Sequence, residues 1–322
     1  MLNKILNNIK SDFVYIQTHN FPDPDAISSA FGMQQLLKNY GITSKICYKG
    51  QIDSNSTSEM IKRLEIELFS IDEILEMTSD NEIILVDAQK GNSNMVDMIG
   101  DEVICIDHHP IFEEVDYRVS DIRPQVGACA SIIASYYFDN NIDMPRNVAT
   151  ALSYGIKVDT ANLTRSVSDF DMEIFCALRK HSDNDLLASL DRNTLKFADL
   201  YAYATAISNI EVFDFVSFAN PGEDCPESLI ASISDFMLAL AEVKFSVVYS
   251  KREKGIKVSV RSELAEYNAG VIANKALKGI GGGGGHAQMA GGFVPFVGSV
   301  DEAEDLMDKI KECFIEVINN MC

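Results

Sequence analysis

The first half of the chain alternates short apolar runs with helical patterns, and this alternation restricts the possible folds more than any other feature. Uninterrupted apolar runs are typical of strands that a parallel sheet buries on both faces. Strands that alternate with helices predict a doubly wound α/β fold with a mostly parallel sheet. The strand-like runs are residues 14–16, 42–48, 83–86 and 103–106, and the helical patterns are residues 26–40, 54–64, 127–138 and 146–153.

The order of elements changes in the last third of the chain and predicts a smaller α+β domain. With 322 residues the chain is long enough for two domains of ordinary size. We expect a first domain over residues 1–182, a helical connector over 183–208, and a second domain over 209–322 across a cleft. The elements predicted in the second domain are helix 229–241, a hairpin of strands 244–249 and 256–261, helix 269–277, a glycine loop, strand 293–296 and helix 301–319.

The charge of the chain bears on its partners. There are 48 acidic and 27 basic residues, which give a net charge of −21. Such a surface repels long nucleic acids, whose binding depends on Lys and Arg side chains that neutralise many phosphates. A short anionic substrate stays possible, because bound metal ions can make one cleft locally positive.

Cysteine usage and hydropathy predict a cytoplasmic protein with no membrane partner. The seven cysteines include no C-x-x-C pair, which argues against a disulfide framework and for a reducing compartment. No window approaches the roughly eighteen consecutive apolar residues of a membrane-spanning helix. The first residues lack the apolar stretch and cleavage site of a signal peptide.

Carboxylates and histidines follow four apolar runs, the last of which is residues 155–158. Because ligands of a doubly wound sheet bind beyond the carboxyl ends of its strands, we expect these side chains to converge. Hard oxygen ligands mixed with imidazoles suit a pair of divalent metal ions better than a packed core. Singly, Asp25 or Asp87 could be a helix N-cap, but the combination favours metal ligands. The side chains are His19, Asp23 and Asp25, then Asp87, then Asp107, His108 and His109, and finally Asp159.

Two local features strengthen the metal hypothesis. Pro22 and Pro24 stiffen the loop that carries the first candidate ligands, which favours a fixed geometry. Asp107 precedes His108 and His109 directly after an apolar run, and its carboxylate is able to orient one of the two rings. The sequence therefore predicts metal ligands together with a residue that supports them.

A run of five glycines, residues 281–285, is the second chemical signal of the chain. Consecutive glycines let backbone N–H groups approach a ligand closely and form an anion-binding concavity. The run is no P-loop and fits a dinucleotide fingerprint poorly, because no Gly-Lys-Ser/Thr follows and no strand directly precedes it. His286 and the small residues after it disfavour a flexible linker. Arg261, at a predicted strand end, is a candidate phosphate fork, with a surface arginine as the competing interpretation.

These residues together resemble the motifs of the DHH phosphoesterase superfamily. His19-x3-Asp23-x-Asp25, Asp87, Asp107-His108-His109 and Asp159 are similar to its motifs one to four. The glycine run with His286, Ala290 and Gly291 resembles the signature of the DHH-associated C-terminal domain. The resemblance covers nearly the whole chain, and the length is similar to that of the compact branch of nano-RNases and phosphoadenosine-phosphate phosphatases.

The resemblance implies two divalent metal ions, with manganese expected, and a nucleotide site in the second domain. His19, Asp23 and Asp87 would hold one ion, and Asp25, Asp87, His108 and Asp159 the other, so that Asp87 bridges them. His109 would face the substrate with Asp107 behind it, as the expected catalytic pair. The second domain would close over the cleft and bind nucleotide through Arg261, Gly283, Gly284, Gly285 and His286.

The expected function is hydrolysis of short oligonucleotides or small nucleotides by in-line attack of water at two metal ions. Nano-RNA, linear di-adenylate and phosphoadenosine phosphate are the expected substrates. The resemblance to the family also implies a homodimer. A cyclic dinucleotide phosphodiesterase and a sensor that binds nucleotide without hydrolysis are the alternatives. A RecJ-type exonuclease fits the length and charge poorly, and the His286 loop argues against a manganese pyrophosphatase. Met289 and an additional glycine depart from the family pattern and leave the shape of the nucleotide pocket open.

Overall fold

The computed structural model describes residues 1–52, 54–92, 94–111, 113–192, 194–298 and 300–321. The chain forms two compact units, Met1–Thr194 and Leu195–Cys322. The boundary lies inside the stretch that the sequence marks as a helical connector. One helix of that stretch, Asn184–Arg192, belongs to the first unit, and the next helix, Asp199–Ser208, belongs to the second.

A six-stranded parallel sheet forms the centre of the first unit and confirms the predicted α/β class. Its strands are β1 (Phe13–Gln17), β2 (Thr43–Tyr48), β3 (Phe69–Ser70), β4 (Glu82–Val86), β5 (Asp101–Asp107) and β6 (Val119–Ile122). Their order in the sheet is β3-β2-β1-β4-β5-β6, and neighbouring strands pair in parallel. The strand order reverses between β1 and β4, and ligands of doubly wound folds bind at such a switch point.

The two faces of this sheet are covered by different parts of the chain. Ile16 and Ile84 pack with Leu152 and other helical residues into one core. Tyr15 and Leu85 point to the opposite face and pack with partly buried side chains of the connecting segments. The helices of this unit are α1 (Leu2–Asn8), α2 (Pro24–Lys38), α3 (Asn55–Leu64), α4 (Cys129–Asp139), α5 (Arg146–Asp159), α6 (Asp169–Leu178) and α7 (Asn184–Arg192).

The second unit has a mixed sheet with helices and confirms the predicted α+β class. Its strands are β7 (Glu211–Phe213), β8 (Val216–Ala219), β9 (Phe245–Arg252), β10 (Gly255–Ser262), β11 (Gly282–Gly285) and β12 (Met289–Pro295), and its helices are α8 (Asp199–Ser208), α9 (Glu227–Leu238), α10 (Ala269–Ala276) and α11 (Val300–Asn319). The sheet order is β11-β12-β10-β9-β8-β7, with β9 and β10 as the predicted antiparallel hairpin. None of the helices in the described ranges combines the length and apolar character that a membrane crossing requires.

Two predicted elements differ from the structure, and both carry candidate site residues. The apolar run 155–158 is not a strand but the last turn of α5, because buried residues at 148, 152 and 155–156 keep helical spacing. Asp159 therefore comes from a helix end and not from a strand end. The glycine run is not a loop, because residues 282–285 form the edge strand β11, which pairs with β12.

Candidate metal centre

The fold brings the predicted ligands of the first unit together at the switch point of its sheet. His19 lies just beyond β1, and Asp87 lies directly beyond the neighbouring strand β4. The buried Asp87 carboxylate lies within 3.5 Å of imidazole nitrogens of His19, His108 and His109. Asp87 also has a φ of +56°, a left-handed conformation that is uncommon for residues other than glycine. Such strained backbone clusters at functional sites, where the surrounding structure holds it in place.

One group of side chains, which we call the open half-site, consists of His19, Asp23 and Asp87. His19 Nε2 lies 3.9 Å from Asp23 Oδ2 and 3.5 Å from Asp87 Oδ2. Asp23 is the N-cap of α2, so its Oδ1 accepts two backbone N–H groups of the first turn and its Oδ2 faces His19. The hydrogen bond between His19 Nδ1 and the Asn20 carbonyl, 2.9 Å long, leaves Nε2 as the nitrogen with a lone pair in the neutral ring.

The other group, which we call the closed half-site, consists of Asp25, Asp87, His108 and Asp159. His108 Nε2 lies 3.3 Å from Asp87 Oδ1, 3.3 Å from Asp159 Oδ2 and 3.9 Å from Asp25 Oδ2. The hydrogen bond from His108 Nδ1 to the Val126 carbonyl, 3.1 Å long, again turns Nε2 towards the carboxylates. Asp159 reaches the group from the C-terminal end of α5, where the helix dipole favours a nearby cation.

The start of α4 holds Asp25, which is almost completely buried. Asp25 Oδ2 accepts a hydrogen bond from the N–H of Cys129 at 2.7 Å, and Oδ1 accepts one from the N–H of Ala130 at 2.9 Å. Gly155 of α5 packs against the same residue: a Cβ at this position would lie 3.1 Å from Asp25 Cα and 2.2 Å from Ser28 Oγ. Only glycine therefore lets α2 and α5 approach closely enough to bring their acidic side chains together.

Asp107 supports the histidine pair from a fully buried position. Its Oδ1 accepts hydrogen bonds from the N–H of His108 and from His109 Nδ1, both at 2.8 Å. Its Oδ2 accepts a hydrogen bond from Gln89 Nε2 at 2.7 Å, and the same amide donates to the His109 carbonyl. Gln89 was missed by the sequence analysis. Its position two residues beyond Asp87 is the only local signal, and glutamine is too common a residue to stand out.

The environment of the cluster favours the protonated forms of several of its side chains, and a bound cation would compete with those protons. Burial raises the pKa of Asp25 well above its ordinary value, and the charges of Asp87 and Asp159 raise it further. Burial also raises the pKa of Asp159 to about 6. For His19, burial alone would lower the pKa, but the hydrogen bond with Asp87 and the charge of Asp23 raise it to about 10. Burial and neighbouring negative charge therefore disfavour the charged forms of Asp25 and Asp159, and a bound cation would favour them.

The donor atoms of the cluster fit two divalent cations. Among the residues that the structure describes, no well-aligned hydrogen bond reaches the buried oxygens Asp87 Oδ1 and Asp159 Oδ2, although His108 Nε2 lies 3.3 Å from each. Buried acceptors without a donor are costly, and a bound cation would satisfy both. The candidate ligand atoms of the open half-site lie within 4.8 Å of one another, and so do those of Asp25, His108 and Asp159 in the closed half-site. Asp87 joins the closed half-site through His108, at 3.3 Å. Carboxylate oxygens combined with imidazole nitrogens suit Mn²⁺ and related ions.

The five predicted substrate-binding residues all lie in the second unit. Arg261, near the end of β10, is buried, and its guanidinium donates to Asp235 Oδ1 at 2.7 Å and to Ser259 Oγ at 3.1 Å. The predicted phosphate fork is thus held by an acidic side chain in this structure. The N–H of His286 donates to the Met289 carbonyl at 2.7 Å, which closes the turn between β11 and β12.

The glycines of β11 have a packing role that the sequence did not reveal. A Cβ at Gly283 would lie 2.9 Å from the carbonyl oxygen of Ala273 in α10. A Cβ at Gly270, also in α10, would lie 2.2 Å from the carbonyl oxygen of Gly285. Close contact between a helix and an edge strand therefore explains part of the run. Gly284 has no neighbour within 4 Å of an added Cβ and is not constrained in this way.

Comparison with known proteins agrees with this architecture. A model of the DHH family, N-terminal domain, matches residues 13–156, and a model of the DHHA1 domain matches residues 210–316. A solved structure of an exopolyphosphatase-related protein from Bacteroides fragilis has the same fold, with a TM-score of 0.75 over 96% of this chain and 94% of that chain, at 19% identity. The two units are thus a DHH domain and a DHHA1 domain.

Three relatives show how far the likeness extends. An uncharacterized protein of Methanocaldococcus jannaschii is 30% identical over 92% of this chain and 61% of its own length. A probable manganese-dependent inorganic pyrophosphatase of Streptococcus thermophilus is 24% identical over 71% of this chain and 82% of its own length. The cyclic-di-AMP phosphodiesterase GdpP of Bacillus subtilis is 26% identical over 95% of this chain and 48% of its own length. The chain thus spans 61% of the first and about half of the last relative.

The acidic and histidine side chains lie at the switch point of the sheet in the first unit, and the DHHA1 match falls within the second unit. The chain belongs to the DHH superfamily of phosphoesterases, and its C-terminal part is a DHHA1 domain, as the resemblance of its motifs predicts.

Proposed function

We propose that the protein hydrolyses short oligonucleotides or small nucleotides and uses two divalent metal ions, with manganese as the preferred metal. The observation that supports this proposal is the pair of half-sites that share Asp87. In each half-site a histidine is tied to a backbone carbonyl through Nδ1, so that Nε2 and the carboxylates face a common centre. Metal ions bound there would supply an activated water and a positive charge for the phosphoryl oxygens.

His109 is the residue we propose for proton transfer or for a hydrogen bond to the substrate. It is 28% exposed, whereas His108 is 5% exposed. Burial alone would lower the pKa of His109, but its hydrogen bond with Asp107 raises the pKa above the ordinary value. A protonated imidazole held in one orientation is suited to donate to a phosphoryl oxygen or to the leaving group. Asp107 would therefore act by orienting His109.

Two lines of support bear on the substrate. The strongly acidic composition disfavours a long polymer, and the GdpP relative, named for a cyclic dinucleotide, matches 95% of this chain. A cyclic dinucleotide phosphodiesterase is for this reason the second candidate function. Comparison of kcat/KM for a linear dinucleotide, a cyclic dinucleotide, phosphoadenosine phosphate and pyrophosphate distinguishes these substrates.

The decisive experiment measures hydrolysis of a labelled dinucleotide with Mn²⁺ and after removal of metal. We expect turnover that depends on Mn²⁺ in the wild type and is lost in His108→Ala. His181→Ala is the matched control, because His181 is an exposed histidine in the turn after α6 and outside the cluster. Equal turnover in His108→Ala and His181→Ala would refute the assignment. Tight nucleotide binding without hydrolysis in saturating Mn²⁺ would instead support the alternative that the protein is a nucleotide sensor.

The proposed role of the glycine run in nucleotide binding needs a separate test. Gly284→Ala adds a methyl group where nothing lies within 4 Å, so we expect the stability to be unchanged. If β11 contacts the nucleotide, this variant raises KM for the dinucleotide. Gly282→Ala, at an equally open position outside the proposed set, is the control. Unchanged KM in both variants would leave β11 with its packing role alone.

A further inference from the structure

Asp171 is a fully buried carboxylate that accepts hydrogen bonds from two separate parts of the first unit. It lies in the first turn of α6, where the N–H and Oγ of Ser168 donate to its Oδ2 at 2.9 and 2.5 Å. The bond from the Ser168 N–H, together with the one that the Asp171 N–H donates to Ser168 Oγ, forms the capping box of that helix. The capping box does not account for the others: the N–H of Gly127 donates to Oδ2 at 2.7 Å, and Ser131 Oγ donates to Oδ1 at 2.6 Å.

The residues that Asp171 binds belong to a segment that holds two candidate metal ligands. We call residues 126–131 the support segment. Its first carbonyl, that of Val126, accepts the hydrogen bond from His108 Nδ1. Its backbone N–H groups at Cys129 and Ala130 donate to the carboxylate of Asp25. The position of the support segment therefore fixes the orientation of one imidazole and one carboxylate of the closed half-site.

Packing at Gly127 also holds the support segment against the residues that follow the candidate ligand Asp159. A Cβ at Gly127 would lie 2.7 Å from the carbonyl oxygen of Ser166, 2.9 Å from Thr160 Cγ2 and 3.0 Å from Asp171 Oδ2. Thr160 directly follows the candidate ligand Asp159. The support segment is thus packed between Asp171 and the residues that follow Asp159. There is no space for a side chain at position 127.

We propose that Asp171 is a positioning residue for the closed half-site and acts through the support segment. This inference rests on the proposed metal function. Among the described residues, no hydrogen bond joins His19 or Asp23 to the support segment, because His19 binds the Asn20 carbonyl and Asp23 caps α2. Loss of Asp171 therefore affects the ion of the closed half-site and spares the ion of the open half-site.

The test measures Mn²⁺ binding to Asp171→Ala by equilibrium dialysis and calorimetry, with no substrate present. Residues that orient metal ligands typically change affinity about 10- to 100-fold. We expect a loss of that size for one of the two ions and an unchanged affinity for the other. Asp171→Asn should restore much of the loss, because its amide oxygen can accept the Gly127 N–H and its NH₂ can donate to Ser131. Wild-type affinity for both ions in Asp171→Ala overturns the proposal.

Glu82→Gln is the control for a general loss of stability. Glu82 is also buried, accepts backbone N–H groups of Lys10 and Ser11, and pairs with Arg118. It is the first residue of β4, at the opposite end of that strand from Asp87. We expect Glu82→Gln to lower the midpoint of thermal unfolding and to leave both Mn²⁺ affinities unchanged. If Glu82→Gln and Asp171→Ala weaken the binding of one Mn²⁺ ion to the same extent, a specific positioning role of Asp171 is refuted.

A variant that fails to fold and a wild type that binds no metal have different consequences. If Asp171→Ala does not fold, Ser131→Ala decides, since it removes one donor and leaves the capping box of α6 intact. We expect this variant to bind the same ion about twofold to tenfold more weakly, the effect of a single typical hydrogen bond, and unchanged binding overturns the proposal. If the wild type itself binds no Mn²⁺, the proposed metal function fails, and this result is distinct from a failure of the Asp171 inference.

Discussion

The two half-sites use the same kinds of ligand but are built in different ways. The open half-site takes two of its three members from one loop, residues 19–23, and its Asp23 side chain is 45% exposed. The closed half-site draws on four separate segments, and its Asp25 and His108 side chains are 1% and 5% exposed. Local chain geometry places two ligands of the first, which then needs only the pairing of β1 with β4 to add Asp87, whereas the second requires the packed helices α2, α4 and α5. We therefore expect the closed half-site to bind its ion more tightly and to be the more sensitive to changes in packing.

The largest effect is expected for Asp87→Asn, because Asp87 belongs to both half-sites. Asparagine tolerates the left-handed backbone at this position, so the variant should keep its fold. We expect both ions to be lost and hydrolysis to fall about a thousandfold, which corresponds to about 4 kcal/mol of transition-state stabilisation. Metal content and turnover are the measurements. Retention of one ion at wild-type affinity would show that Asp87 is not shared.

Single histidine variants should separate the two ions. His108→Ala removes a ligand of the closed half-site, and His19→Ala removes one of the open half-site. We expect each variant to retain one Mn²⁺ ion and to bind the other at least about tenfold more weakly. Equilibrium dialysis gives the stoichiometry. If either variant loses both ions, the half-sites bind cooperatively and the proposed independence is wrong.

Gly155→Ala should disturb the closed half-site by packing alone. Alanine normally stabilises a helix interior by about 1 kcal/mol relative to glycine. Here its Cβ would meet Ser28 Oγ and Asp25 Cα, so we expect a net loss of about 1–3 kcal/mol, measured by thermal unfolding. The affinity of the closed half-site for its Mn²⁺ ion should fall together with the stability.

The control for Gly155→Ala is Gly32→Ala, which lies in α2 where that helix packs against α4 and α5. Its Cβ would meet Ile133 and Leu152 side chains and no candidate ligand. We expect a comparable loss of stability with unchanged Mn²⁺ binding. Weakened binding in Gly32→Ala would mean that the closed half-site responds to any change in the helix packing.

The pH dependence of stability should change sign when metal is added. In the metal-free protein the pKa of His19 is raised to about 10, so its contribution to stability is complete below pH 6.5 and is lost as the pH rises through 10. Metal binding requires the neutral imidazole, so the affinity for Mn²⁺ rises with pH and protons are released. We expect the unfolding midpoint to fall with rising pH without Mn²⁺, and the stabilisation by Mn²⁺ to grow. Binding without proton release would contradict this account.

The sequence indicated most of the fold for reasons that are local. Buried parallel strands are continuous apolar runs, and β1, β4 and β5 lie where such runs occur. Short strands such as β6, β7 and β8 were missed, because three or four residues carry little periodicity. The glycine run was predicted as a loop, since no local pattern shows that β12 and α10 hold it as a strand.

The sequence by itself determined the kinds of candidate ligand and their order along the chain, because carboxylates and imidazoles at the ends of apolar runs have no common structural use. Tertiary structure decided which of them meet, since Asp159 arrives from the end of a helix and not from a strand. It also decided what holds them: Gln89, Gly155 and Asp171 are ordinary residues whose partners lie far away in sequence. Hydrogen bonds and close packing between distant segments depend on the whole fold, so no local sequence pattern predicts them.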